Sequence, residues 1–130
     1  MVRLMNTPEV ELAERLAITA LRSGWATYDN CYRVLADCHG VLAISAHKMQ
    51  DATLSAVTKL GYTAMVNIFE RMQRVGKVGA SSDELSALIT MLDFSDDYWR
   101  RQSAAHLEQC VLALREVRRK QKAERLKEAA

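Results

Sequence analysis

The strongest constraint on the fold is an apolar stripe between Tyr28 and Lys59. Apolar side chains recur there at three- and four-residue spacing, so they share one helical face over about eight turns. The stripe consists of Cys31, Leu35, Cys38, Leu42, Ala46, Met49, Ala52 and Ala56. A single helix of this length would extend about 45 Å and form the centre of the domain. Polar residues from His47 to Asp51 support a second interpretation, in which a turn divides the stretch into two shorter helices.

Length and composition predict one small globular domain covering residues 1–130. Apolar residues make up 49% of the chain and charged residues 26%, as in ordinary globular proteins. No apolar run approaches the roughly 20 residues that a membrane-spanning helix requires, and the polar start is too short for a signal peptide. The three cysteines lack a disulfide-type spacing, which predicts a reduced, cytoplasmic protein. No Gly-rich phosphate loop is present, and no cofactor is expected.

Residues 1–6 are predicted to form a loose end, followed by a helix that starts at Thr7-Pro8-Glu9 and ends at Gly24. Threonine accepts a hydrogen bond from an early backbone N–H, and proline suits the first helical position because it has no N–H to lose. Glycine readily adopts the left-handed conformation that ends a helix. The predicted buried face of this helix consists of Leu12, Ala13, Leu16, Ala17, Ala20 and Leu21.

Glycines and helix caps divide the middle of the chain. Gly40 lies within the apolar stripe, where it predicts close packing against a neighbouring helix, whereas Gly61 is a candidate break. The following helix would end at Gly76. Ser81 and Glu84 have the spacing of a capping box, in which each side chain bonds the other residue's backbone N–H, so they predict the start of the next helix.

A second start signal at Ser95 predicts a last helix that runs to the C-terminal end. Ser95 is a suitable cap, and Asp96 and Asp97 suit the positive end of the helix dipole. Such a helix would be about 50 Å long, whereas a bundle needs about 30 Å, so its end is predicted to overhang. Its predicted buried face includes Trp99, Leu107, Cys110 or Val111, Leu114 and Val117. Together these elements predict an all-α bundle of four to six helices with a long central helix and an overhanging C-terminal helix.

Positive charge is concentrated near the C-terminal end. The chain has a formal net charge of +2, but seven Lys and Arg residues against three Glu lie from Arg115 onward. Residues 118–130 are therefore interpreted as a basic helical tail that is either solvated, in contact with nucleic acid, or bound to an acidic protein partner. Arg100 and Arg101 occupy the first turn of the predicted last helix, where cations are unfavourable, which indicates a binding role. The candidate binding residues are Arg71, Arg74, Lys77, Arg100, Arg101, Arg115, Arg118, Arg119, Lys120 and Lys122.

The spacing of cysteine and histidine raises the hypothesis of a metal site. His106 and Cys110 are four positions apart, so they would present two ligands on one helical face, and Cys38 would complete the site if its helix packed alongside. The plainer interpretation is that the cysteines belong to the core, because free cysteine behaves as a small apolar group. The expectation is therefore no bound metal, with Cys38, His106 and Cys110 as the candidates.

The segment Ala46-His47-Lys48-Met49 resembles the centre of the histidine phosphotransfer domains, which are four-helix bundles of about this length. That family has the pattern Ala-His-x-Leu-Lys-Gly, whereas Gln50 and Asp51 stand here at the positions of its lysine and glycine. The resemblance implies phosphorylation of His47. The alternative is an exposed polar histidine at a helix kink.

These features predict a non-enzymatic helical interaction module, a small regulatory or accessory protein. Its contact surfaces would be the basic tail and an acidic patch between Ser81 and Trp99. A homodimer is predicted because an apolar stripe longer than a bundle needs a cover, which a second copy would supply. The first alternative is a nucleic-acid-binding accessory protein that acts through the basic tail, and the second is a metal-binding protein or enzyme with the Cys/His site. No membrane partner is expected.

Overall fold

The computed structural model describes residues 8–76 and 79–129. These residues form five α-helices: α1 (Pro8–Ser23), α2 (Arg33–Met49), α3 (Ala52–Val75), α4 (Ser82–Arg100) and α5 (Ala104–Ala129). One turn of π-helix, Tyr28–Tyr32, leads directly into α2. The described ranges contain no strand, and the predicted all-α bundle of four to six helices is confirmed. None of the described helices combines the length and the apolar character that crossing a membrane requires.

The predicted single helix from Tyr28 to Lys59 is wrong, and the alternative of two helices is correct. Gln50 adopts the left-handed conformation (φ 48°, ψ 45°) and ends α2. The Asp51 carboxylate accepts hydrogen bonds from the next free backbone N–H groups and so caps α3. Met49, on the second half of the stripe, is 59% exposed. Neither helix is therefore too long for the bundle at this point, so helix length does not require a second copy, and the homodimer stays a prediction.

Three other predicted helix starts and ends are confirmed. Gly24 and Gly76 have positive φ angles of 80° and 77°, and they follow the last residues of α1 and α3. Ser81 and Glu84 form the predicted capping box at the start of α4. The predicted Thr7 cap and the loose end before it lie outside the described residues.

The predicted start of the last helix at Ser95 is wrong, because α4 continues through that position. Ser95 is buried, and its hydroxyl accepts a hydrogen bond from the Cys38 thiol, with 3.4 Å between Sγ and Oγ. The Ser95 hydroxyl is therefore used in a hydrogen bond between α4 and α2 and does not cap a helix. Helix α5 begins after Ser103, whose hydroxyl accepts a hydrogen bond from the backbone N–H of His106 (3.1 Å).

Helix α1 buries a different face from the predicted one. Leu12 and Leu16 are 60% and 48% exposed, whereas Glu14 and Ile18 are only 1% and 5% exposed. The predicted buried residues Ala17, Ala20 and Leu21 are in the core. This orientation places Glu14 beside the buried carboxyl group of Asp96 on α4.

Two glycines permit close helix packing. A Cβ atom at Gly40 would lie 2.8 Å from Leu114 Cδ1, so the predicted close packing is confirmed for the contact between α2 and α5. Gly61 does not break a helix. It lies buried within α3, where a Cβ atom would overlap the thioether of Met91 on α4.

Helix α2 is the centre of the bundle, because it contacts α1, α3, α4 and α5. The largest fully buried hydrophobic side chains are Trp99, Leu42, Leu54, Leu88, Met91, Leu92 and Leu107. On α5, burial stops early: Leu107, Cys110 and Val111 are buried, whereas Val117 is 45% exposed instead of buried as predicted. All residues from 115 to 129 are exposed, so the predicted overhang is present.

Candidate functional site

The strongest candidate for a binding surface is the exposed end of α5, residues 115–129, which we call the α5 overhang. At 1.5 Å per residue it extends about 22 Å past the packed part of the helix. Its predicted role was to bind a partner through basic residues, and the helical geometry shows on which side of the helix each basic residue lies. The remainder of the described chain, from Pro8 to Leu114, is called the body.

Charges are segregated around the α5 overhang. At 100° per residue, five cationic side chains fall within an arc of about 120°. They form the basic stripe, which consists of Arg115, Arg118, Arg119, Lys122 and Arg125. The carboxylates of Glu116, Glu124 and Glu128 all fall outside this arc, and Lys120 and Lys127 lie on their side of the helix. The overhang therefore presents a cationic face and a face of mixed charge.

Within the overhang most cations have no carboxylate partner. Arg118 pairs with Asp37 of α2, and Arg119 pairs with Glu116 one turn earlier (2.7 Å). No carboxylate of the described residues lies within salt-bridge distance of the remaining cations, which are Arg115, Lys120, Lys122, Arg125 and Lys127. These five side chains are available to an anionic partner.

The candidate residue Arg71 is engaged inside the body. Its guanidinium binds both oxygens of Glu84 at 2.9 and 2.6 Å and also donates to the Gly79 carbonyl at 3.2 Å. The hydrogen bond from Arg71 lowers the pKa of Glu84 below its ordinary value. Arg74 is exposed without an ion-pair partner among the described residues, and Lys77 lies outside them. The predicted cluster of Arg71, Arg74 and Lys77 is therefore not a free cationic surface.

The candidate residues Arg100 and Arg101 are also paired. Arg100 binds Glu11 of α1 at 2.6 Å, and Arg101 binds Asp97 one turn earlier at 2.8 Å. They lie at the C-terminal end of α4, where the helix dipole favours cations. Their positions therefore have a structural explanation, and the argument for a binding role from an unfavourable dipole was wrong.

The predicted acidic patch is divided among arginine partners. Glu84 pairs with Arg71 and Asp97 with Arg101, as described above. Asp93 and Asp96 share Arg15, at 2.6 and 3.0 Å. Four of the five carboxylates of the patch are therefore paired, and Asp83 alone has no ion-pair partner among the described residues. The patch does not form one free acidic contact surface.

A groove beside the overhang was not predicted. It lies between α1 and α5, both of which pack on α2, and has a volume of about 200 Å³. Most of its lining is apolar and consists of Val10, Ala13, Val34, Val41, Val111 and Leu114. The charged lining residues are Asp37, which lies between the two valines of α2, and Arg115 and Arg118, which follow Leu114 along α5. The two arginines belong to the basic stripe, so the groove and the stripe form one continuous surface, which we call the α1–α5 groove and its cationic end.

A buried pair of carboxyl groups joins α1 to α4. Glu14 is 1% exposed and Asp96 is 5% exposed. Burial, and then the neighbouring Asp96, raises the pKa of Glu14 from 4.5 to about 9, and burial also raises the pKa of Asp96. Glu14 is therefore protonated at neutral pH and donates to the Asp96 carboxylate, which also accepts a hydrogen bond from Arg15 (3.0 Å). The sequence did contain a signal for this, since Val10, Glu14 and Ile18 lie four residues apart on one helical face.

The three candidate metal ligands do not converge. Cys110 Sγ and His106 Nε2 are 3.8 Å apart, but the imidazole also bonds the Ser45 hydroxyl at 2.9 Å. Cys38 bonds Ser95 instead, and burial raises the pKa of its thiol. No three Cys, His, Asp or Glu side chains of the described chain are arranged to hold a metal ion.

A second buried network, formed by Ser45, Tyr98 and His106, ties α5 to α2 and α4. The Ser45 and Tyr98 hydroxyls are 2.7 Å apart, and Ser45 also bonds His106 as described above. The centroid of the imidazole ring lies 5.9 Å from that of the Trp99 ring, and the two ring planes are tilted by 35°. This network anchors the packed end of α5, from which the overhang then projects.

His47 is exposed in the last turn of α2, beside the turn at Gln50. This position agrees with the alternative interpretation, an exposed histidine at a break between helices.

Comparisons with protein-family models, curated protein sequences and solved structures give no match. The function is therefore inferred from the residues of this chain alone.

Proposed function

We propose that this protein is a non-enzymatic helical interaction module that binds an acidic surface of a protein partner through the basic stripe of the α5 overhang. The observation that carries the proposal is the difference in charge pairing. Arg15, Arg71 and Arg100 of the body each pair with a carboxylate on another helix, whereas Arg115, Lys122 and Arg125 of the stripe lack such partners among the described residues. Exposed cations on one face of a projecting helix favour electrostatic association with a complementary surface.

The segregation of charge supports a protein partner over a phosphate backbone. A face about 120° wide on one helix matches a partner surface of limited extent, because the opposite side of the overhang carries the glutamates. The alternative function is binding of nucleic acid, which Lys120 and Lys127 favour because they add cations outside the stripe. A regulatory or accessory role follows from a surface that binds a partner without supplying a reactive group.

The test is fluorescence anisotropy with labelled polyglutamate, duplex DNA and single-stranded RNA at about 50 and 200 mM salt. The chain is compared with a version that ends at Leu114 and with two charge-matched variants. Lys122→Glu/Arg125→Glu reverses two of the five stripe cations, and Lys120→Glu/Lys127→Glu makes the same charge change on the other side. We expect polyglutamate binding that weakens with salt, is lost in the shortened chain and in the stripe variant, and persists in the control variant.

Two outcomes would contradict the proposal. Tighter binding of DNA or RNA than of polyglutamate, lost equally in both charge variants, would select the nucleic-acid function, because a phosphate backbone responds to total cationic charge. Absence of binding to all three probes at the lower salt concentration would leave the overhang as a solvated helix end.

A further inference from the structure

Resting on the proposed function, we propose that the partner contributes an acidic amphipathic helix, which lies along α5 with its apolar residues in the α1–α5 groove and its carboxylates on the basic stripe. The inference joins two observations that are independent of each other. One is a mostly apolar groove between two helices, and the other is the basic stripe that continues along α5 from it. In this stripe Arg115, Lys122 and Arg125 have no ion-pair partner among the described residues.

The groove has the form of a helix-binding site. Helices α1 and α5 form its two sides and α2 forms its floor, where Val41 is 2% exposed. The opening therefore runs along helices, and apolar grooves of this kind bind the apolar face of an amphipathic helix. The volume of about 200 Å³ accommodates a few apolar side chains rather than a whole helix, so the bound helix would lie on the surface with one face inserted.

The lining of the groove changes from apolar to cationic along α5. Val111 and Leu114 line the groove first, and then Arg115 and Arg118 line it one turn later. Helical spacing continues the same face as Lys122 and Arg125 in the overhang. A complementary helix therefore has apolar residues at one end of its contact face and carboxylates at the other, over about 21 Å of α5.

Charge complementarity distinguishes this occupant from the others. A nucleic acid would bind the overhang but would leave the apolar lining uncovered. A second copy that placed its own overhang along this face would bring like charges together, which is unfavourable. An acidic helix covers the apolar lining and neutralises Arg115, Lys122 and Arg125 together.

The experiment uses two synthetic helical peptides with capped ends. The test peptide carries leucines along one face of its first half and glutamates along the same face of its second half. The control peptide keeps the glutamates but has glutamine at every leucine position. Binding to the full chain is measured by isothermal titration calorimetry. Methyl NMR spectra then show whether Val10, Val34 and Val41 sense the bound peptide.

We expect the test peptide to bind at least about tenfold more tightly than the control peptide, because burial of a single leucine is worth a tenfold change or more. Ala13→Phe fills the groove and should lower the affinity for the test peptide to the affinity for the control peptide. Ala56→Phe, on the exposed surface of α3, is the matched substitution and should leave the affinity unchanged. The methyl signals of the groove valines should shift only with the test peptide.

The outcomes separate this inference from the proposed function. Equal affinities for the two peptides, insensitive to Ala13→Phe but lost in Lys122→Glu/Arg125→Glu, would overturn the groove inference and leave the proposed function in place. Failure of both peptides and of polyglutamate, with retained binding of DNA or RNA, would overturn both. Because the peptide pair is tested on the unmodified chain, the result does not depend on how well a variant folds.

Discussion

The body and the α5 overhang differ in how they use arginine. In the body, Arg15, Arg71 and Arg100 each bind a carboxylate on another helix, and these pairs join α1 or α3 to α4. In the overhang, Arg118 is the one cation that pairs with a carboxylate on another helix among the described residues, and its partner is Asp37. A cation that bridges two helices stabilises the fold, whereas one without a partner leaves its charge available.

The same contrast applies to burial. The body places even carboxyl groups in its interior, since Glu14 and Asp96 are 1% and 5% exposed. The overhang leaves Leu126 63% exposed and has no apolar face of its own. A helix that is polar on all sides obtains little stability from packing. Substitutions in the body should therefore change stability, and substitutions in the overhang should change binding.

The largest expected effect concerns Glu14 and pH. The pKa of Glu14 is about 9 in the folded chain and about 4.5 in the unfolded chain. Between these two pH values Glu14 is therefore protonated in the folded chain and ionised in the unfolded chain. The free energy of unfolding should therefore decrease as the pH rises from about 4.5 to about 9. Glu14→Gln removes this contribution, so the variant should gain stability over the parent by up to about 1.4 kcal/mol for each pH unit.

Urea denaturation of both chains between about pH 5.5 and pH 8.5 measures this difference. Glu128→Gln, in the overhang, is the control for loss of a carboxylate. Parallel pH profiles for Glu14→Gln and the parent chain would show that the pair of buried carboxyl groups does not share a proton as described.

The next effect tests packing at two glycines. Gly61→Ala introduces a methyl group where the α3–α4 contact has no room, with Met91 Cβ and Cγ both 3.1 Å away. We expect a loss of about 1–3 kcal/mol in the free energy of unfolding. At Gly40→Ala the obstructing atoms are the flexible end of Leu114, at the boundary with the overhang.

In Gly40→Ala the gain in helix propensity, about 1 kcal/mol, should offset the clash with the Leu114 side chain. Urea denaturation distinguishes the two variants. Similar losses at both positions would show that the packing of α5 on α2 is as rigid as the α3–α4 contact, and would weaken the distinction between the body and the region that leads into the overhang.

A third effect compares arginines directly. Arg15→Met retains an apolar stem but leaves the buried Asp96 carboxylate, beside Glu14, without its cation. Loss of a charged partner from a buried group should cost about 1–3 kcal/mol. Arg119→Met breaks a pair within one turn of the exposed overhang, and its melting temperature should equal that of the parent chain. A matching decrease in both variants would contradict the proposed division of roles.

Local signals in the sequence were sufficient for the helix ends. Gly24, Gly76 and the Ser81–Glu84 capping box act within a few residues, so their effects are visible in a single stretch of chain. The break at Gln50 and Asp51 also had a local signal, the cluster of polar residues from His47 to Asp51, which supported the interpretation as two helices. The overhang was predictable because helix length and apolar periodicity are both local properties.

The incorrect predictions concern contacts between distant residues. Ser95 resembles a helix cap, but its hydroxyl is taken by Cys38, 57 positions earlier. Arg100 resembles a free binding residue, but its partner is Glu11, 89 positions earlier. Charge and spacing alone do not indicate which cations will form ion pairs with distant carboxylates. The presence or absence of such a pair is what distinguishes most of the basic stripe from Arg71, Arg100 and Arg101.

The smallest expected effect concerns Asp37, the one carboxylate in the lining of the α1–α5 groove. It holds Arg118 and places a negative charge where the proposed acidic partner would bind. Asp37→Asn should therefore release Arg118 to the basic stripe and tighten polyglutamate binding about two- to fivefold, since exposed ion pairs are worth about 0–1 kcal/mol. The melting temperature should change little for the same reason.

The opposite result would sharpen the comparison between the body and the overhang. If Asp37→Asn weakens binding, the pair of Asp37 and Arg118 orients the overhang, and the stripe depends on its attachment to α2. Arg118→Gln distinguishes the two explanations, because it removes the pair and one stripe cation together. Weaker binding in Arg118→Gln with tighter binding in Asp37→Asn would identify Arg118 as a cation that the body restrains and the partner would recruit.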